Sequence, residues 1–176
     1  MYAFPKTVAF SHYPLSMTKL HFYKLVLLFI AGNIIFPLTV HLIPQGGKIF
    51  LPIYFFTLIA AYRFGLAAGL ATALLSPLAN HILTGMPPAS VLPVLLTKSV
   101  LLAIAASWIA RRTQKISLLH IAAAVLSYQL FGGIFEWIFT GNIQSALSDF
   151  RIGFPGILVQ IVAGYFLLKW LNHRGG

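Results

Sequence analysis

The stretch Ser76-Pro77-Leu78-Ala79-Asn80-His81-Ile82-Leu83-Thr84-Gly85-Met86-Pro87-Pro88 carries an amide, an imidazole, a thioether and three prolines, in a region otherwise rich in leucine and alanine. Polar groups near the end of an apolar segment are costly, and are kept for a ligand, an ion or a packing partner. Asn80 and Thr84 offer hydrogen bonds. His81 either closes a helix end by bonding carbonyls or serves as a donor to a ligand. Met86 is a soft donor or a packing group. Two further polar groups accompany this stretch. One is His41 with Gln45. The other is Glu136, Trp137, Asn142, Asp149 and Arg151, which includes both acidic residues of the chain. Glu136 binds a ligand or pairs with a cation, either Arg151 or Lys98. Asp149 with Arg151 forms a solvated pair or part of a site.

Catalysis finds little support in these residue types. There is no HExxH, no GxSxG and no GxxxxGK[ST], so no metalloprotease, hydrolase elbow or nucleotide loop is read. His41 and His81 with a carboxylate have no diagnostic metal spacing. The chain is expected to be a binding protein without catalytic residues or an intrinsic cofactor. A mixture of amides, an aromatic ring and a few ionisable groups suits a neutral or zwitterionic organic ligand.

Composition says what must hold these groups. The chain is 59% hydrophobic and 8% charged, with a mean hydropathy of +0.89, against about a quarter charged residues in a soluble domain. It reads as an integral membrane protein. No cysteine is present, which removes disulfides and thiolate chemistry. The net charge of +10 comes from 12 basic and 2 acidic residues. In a membrane protein, basic loops set topology and touch anionic lipid, so no nucleic-acid partner is expected. No cleavable signal peptide is read at the N-terminus.

Apolar runs predict an all-α bundle of six transmembrane helices. Residues 1–21 are expected to form a cytoplasmic or interfacial N-terminal tail and 22–176 a single six-helix transmembrane domain. The spans are expected at about 22–43, 49–62, 64–83, 90–110, 116–139 and 152–171. The run from Ile49 to Leu83 is too long for one crossing and is expected to double back at Tyr62-Arg63-Phe64-Gly65. Lys6, Lys19, Lys24, Arg63, Arg111, Arg112, Lys115, Lys169 and Arg174 then share one side, while Lys48 and Arg151 take the other. That asymmetry places both termini in the cytoplasm. The turns at 44–48, 79–90 and 140–151 face outward together and collect the candidate site. Asn33 is expected to make an interhelical hydrogen bond, and Gly65, Gly69 and Ala73 form a small-residue row.

Gly32-Asn33-Ile34-Ile35-Phe36-Pro37, Leu51-Pro52-Ile53-Tyr54-Phe55-Phe56-Thr57 and Leu75-Ser76-Pro77-Leu78-Ala79-Asn80-His81 with Gly85-Met86-Pro87-Pro88 resemble the S components of energy-coupling factor (ECF) vitamin transporters. The similarity is nearest to the small BtuM-type cobalamin members. It implies a substrate-binding subunit of a bacterial inner membrane that captures a vitamin at the outer face. It also implies a membrane coupling protein and two ATPases as partners, and reorientation in the bilayer to release the ligand. BtuM-type members are associated with a cobalt-ligating cysteine, which this chain lacks. The resemblance makes His81 the replacement donor to a bound corrinoid, followed by Met86 and His41. Span one also lacks the AxxxA-like face with which S components dock.

Other readings remain open: an S component for another vitamin, a solitary permease with the same pocket, a small membrane enzyme using His81, His41 and Glu136, or a structural subunit. His81→Ala separates receptor from enzyme, because a receptor loses affinity and an enzyme loses turnover. A co-purifying ATPase separates S component from permease.

Overall fold

The computed structural model describes residues 19–40 and 42–174, so most of the expected N-terminal tail and His41 lie outside the described residues. Every regular element within them is helical. In chain order these are α1 (Leu20–Val40), α2 (Gly46–Phe50), a 3-10 turn (Pro52–Tyr54), α3 (Phe55–Phe64), α4 (Leu66–Thr84), α5 (Leu92–Thr113), α6 (Leu118–Thr140), α7 (Ile143–Ala146), α8 (Ser148–Arg151) and α9 (Phe154–Arg174). Five of them, α1, α4, α5, α6 and α9, are long and apolar enough to cross a membrane. At about 1.5 Å per residue their lengths match roughly 30 Å of hydrocarbon.

The stretch expected as a second span is not one continuous helix. It is broken into α2, the 3-10 turn and the ten-residue α3. The cause is local. Pro52 cannot donate to a helix and disfavours helical geometry in the residue before it. Leu51 takes a left-handed conformation, φ 47°.

The short α3 is the centre of the molecule. Leu58, Ile59, Ala60, Ala61 and Tyr62 have no exposed surface, whereas Leu27, Leu28, Ile82 and Phe166 point outward. The apolar side chains are thus sorted into a packed interior and an outward face that a bilayer would cover. Tyr62 Oη donates to the Lys115 carbonyl at 2.6 Å, which fixes the end of α3 to the α5–α6 turn. A Cβ on Gly69 would sit 2.5 Å from Ala61 Cβ, so the small-residue row of α4 is used for packing α3 inside the bundle.

Polar side chains inside the bundle are matched to one another. Asn33 Nδ2 donates to Thr57 Oγ1 at 3.2 Å and Ser76 Oγ at 3.1 Å. Its Oδ1 accepts from the Phe56 amide at 3.2 Å. That amide lies in the first turn of α3, where no intrahelical acceptor exists. One side chain of α1 therefore ties α3 and α4 and completes the start of α3. Tyr128 Oη donates to Gln160 Oε1 at 3.0 Å and joins α6 to α9.

Turn residues define helix ends at both faces of the bundle, with Gly85 and Gly141 on the face that carries the candidate site. Ser117 caps α6 by accepting from the His120 amide. Gly85 and Gly141 close α4 and α6 with φ of 71° and 67°, a conformation glycine adopts without a Cβ penalty.

Candidate functional site

At one end of the bundle, the turns after α1, α4 and α6 surround a cavity of about 600 Å³. Its volume lies within the usual range for a small-molecule site, about 300–1,000 Å³. The rim includes Gln45 and Lys48 on one side and Met86, Pro87 and Pro88 on another. The wall includes Tyr54, Asn80, Val94, Lys98, Glu136 and Asp149.

The charged groups form one network. Lys98 projects from α5 and is 2% exposed. Its stem crosses Gly132 of α6, where an added Cβ would lie 2.5 Å from Lys98 Cγ. Lys98 Nζ then meets Glu136 Oε2 at 2.5 Å and Asp149 Oδ2 at 2.7 Å. Glu136 Oε1 accepts from Ser145 Oγ at 2.6 Å. The network joins α5, α6, α7 and α8 and holds the 142–151 segment over the cavity. Burial pushes the Asp149 carboxyl above the ordinary carboxylate range, and Lys98 pulls it the other way.

Several other candidate residues are committed to local structure. Asn142 Oδ1 accepts from the amides of Gln144 at 2.9 Å and Ser145 at 3.3 Å, and so caps α7. Thr84 Oγ1 lies 2.7 Å from the Asn80 carbonyl and 3.1 Å from Asn80 Oδ1. It also accepts from the Met86 amide at 3.2 Å. His81 Nδ1 lies 2.7 Å from the Pro87 carbonyl. A carbonyl only accepts, so Nδ1 carries the proton and Nε2 is left as an acceptor.

No protein-family model matches this chain, and no curated protein or solved structure is similar to it.

The structure brings Asn80, Met86, Gln45, Glu136 and Asp149 together around the cavity. His81, Thr84, Trp137, Asn142 and Arg151 are not among its lining residues. Trp137 faces outward and is 48% exposed. The pairing of Arg151 with Glu136 or Asp149 is corrected: both carboxylates bind Lys98, and no ion pair reaches Arg151 among the described residues. Asp149 and Arg151 are two apart on one helical turn and do not face each other. No group of three metal-ligating side chains occurs among the described residues. Lys48, Tyr54, Ser90, Thr140, Ser145 and Ser148 also line the cavity and were not read as site residues from sequence. Lys48 could have been found as the basic residue of the first polar turn, and Tyr54 from the motif that contains it.

Proposed function

We propose that this chain is the substrate-capturing subunit of a vitamin-uptake system of the ECF type. It would cross the bacterial inner membrane six times with both termini in the cytoplasm. One observation supports this most: three separate turns converge on one cavity that holds both acidic residues of the chain. A packing subunit has no need of such a chamber. Sidedness is supported by charge. The α3–α4 and α5–α6 turns lie at the end away from the cavity and carry Arg63, Arg111, Arg112 and Lys115. In this reading the broken α2–α3 segment supplies the remaining crossing, packed inside the bundle and away from lipid.

The ligand is a vitamin or vitamin precursor. A molecule of small-vitamin size matches about 600 Å³. A whole corrinoid exceeds that volume and would insert only part of itself. His81 does not line the cavity, so it would reach cobalt only from a corrinoid resting across the outer rim; Nε2 is then the nitrogen left for the metal, since the Pro87 bond takes Nδ1. A membrane coupling protein and two ATPases would supply the energy.

The experiment is a thermal-stabilisation screen of vitamins, cobalamin included, on purified protein in lipid nanodiscs, followed by calorimetry. Stoichiometric binding that Val94→Trp abolishes by filling the cavity supports capture. A screen without a single binder, on protein that remains folded, overturns it. For cobalamin, a shifted corrin spectrum that His81→Ala removes would assign the cobalt donor.

A further inference from the structure

This inference rests on the capture reading and concerns the charge of the captured molecule. Four charged side chains line the cavity: Lys48, Lys98, Glu136 and Asp149. Lys48 is exposed at the rim, where solvent weakens but does not remove its pull on Asp149, and it forms no ion pair there among the described residues. The other three form the buried network, in which one ammonium serves two carboxylates. Glu136 has a partner on each oxygen, with Oε2 on Lys98 and Oε1 on Ser145. Asp149 uses only Oδ2. Its Oδ1 makes no hydrogen bond with a described residue. One ammonium against two carboxylates leaves this network net negative, and Asp149 Oδ1 is its one carboxylate oxygen without a described partner.

Two other side chains are left incomplete at the same cavity. Tyr54 is 1% exposed and lines it, and its hydroxyl has no hydrogen-bond partner among the described residues. Asn80 is 4% exposed; its Oδ1 accepts from Thr84, while its Nδ2 has no described partner. Neither atom is among the fully buried unsatisfied groups, which are Ser99 Oγ and Gln129 Oε1, so both donors open on the cavity and are available to a solute. Pro52, Met86, Pro87, Val94 and Leu95 supply apolar wall between the polar points.

We propose that the cavity takes a compact organic cation whose charged nitrogen group sits against Asp149 and whose acceptor atom receives the Asn80 amide. Tyr54 completes the contact with its free hydroxyl. The apolar wall covers a ring or short chain. An anion of the same shape meets an uncompensated carboxylate and is rejected.

The test uses three probes of one shape and different charge on full-length protein in nanodiscs: 1-methylnicotinamide (a cation), nicotinamide (neutral) and nicotinate (an anion). Calorimetry is expected to show one site for the cation, at least about tenfold tighter than for nicotinamide, and no site for nicotinate. Asp149→Asn is expected to remove most of that preference. Tyr54→Phe keeps ring and charge, and is expected to weaken the cation by roughly three- to tenfold. Equal or tighter binding of nicotinamide or nicotinate overturns the proposal. So does cation binding that neither variant changes, or no binding of 1-methylnicotinamide at millimolar concentration. If the vitamin screen yields a neutral or anionic ligand, capture stands and this inference falls. If neither probes nor vitamins bind, both fall.

Discussion

Gly132 is the bed on which Lys98 lies. A methyl group there would come within 2.5 Å of Lys98 Cγ, an atom near the root of a buried side chain that has little room to move. Gly132→Ala should displace Lys98 from Glu136 and Asp149. Overpacking of this kind costs about 1–3 kcal/mol. The variant should unfold at lower temperature and lose ligand affinity together. Unchanged stability would show that the lysine has another path to the carboxylates.

Lys98→Met should be among the most damaging single substitutions at the site. It leaves Glu136 and Asp149 facing one another without a cation, and breaking a buried pair costs about 3–5 kcal/mol. Introducing Lys98→Met into Glu136→Gln/Asp149→Asn protein should cost far less, since no buried charge is then orphaned. Denaturation of the set as a double-mutant cycle measures the difference. Equal costs in both backgrounds would refute the coupling.

Stability should depend on pH through Asp149. Its carboxyl is pushed above the ordinary carboxylate range in the fold. A group whose folded pKa exceeds the unfolded one binds its proton more tightly in the folded state. Its stabilising contribution is complete below the unfolded value and is lost as pH rises through the folded value. The melting temperature of Asp149→Asn relative to the parent should therefore increase from about pH 4 upward and level off beyond the raised value. A difference that falls with pH would mean that Lys98 outweighs burial.

Asn33→Ala should cost more than Thr57→Val or Ser76→Ala. The amide serves both hydroxyls and the Phe56 N–H, so its loss strands three groups, while either hydroxyl substitution strands one contact. Each unsatisfied buried group costs about 1–3 kcal/mol. Thermal unfolding in detergent ranks the three variants.

The absence of cysteine gives a clean background for labelling. Single cysteines at Ser145 and at Gln114 should react with a membrane-impermeant maleimide from opposite sides: Ser145→Cys in intact cells, Gln114→Cys only after permeabilisation. Labelling from one side would refute the proposed topology.

Much of the architecture was legible because lipid makes simple demands on sequence. Apolar runs long enough to cross hydrocarbon stand out, and the five long helices begin and end within about three residues of their expected places. Asn33 in the first span and Lys98 with Glu136 in later spans were legible for the same reason, since isolated polar groups in such helices must find each other. The break between α2 and α3 was not. Hydropathy is insensitive to a proline that redirects the chain, and nothing in a row of apolar residues says which helix will be central. At the site, the choice of Asp149 for Lys98 over Arg151 depends on which way a single helical turn faces. Asn142 looked like a ligand group because an amide in a loop has the same sequence signature whether it binds a solute or caps a helix.

The contact between α2 and the start of α9 gears the two ends of the bundle's chain together. A Cβ on Gly156 would fall 2.4 Å from the Phe50 carbonyl, one on Gly153 would meet Leu51 Cδ1 at 2.9 Å, and the Leu51 carbonyl accepts from Gln160 at 3.4 Å. Contacts this close leave no slack for sliding. The cavity rim is thus packed against a helix that runs the full depth of the bundle.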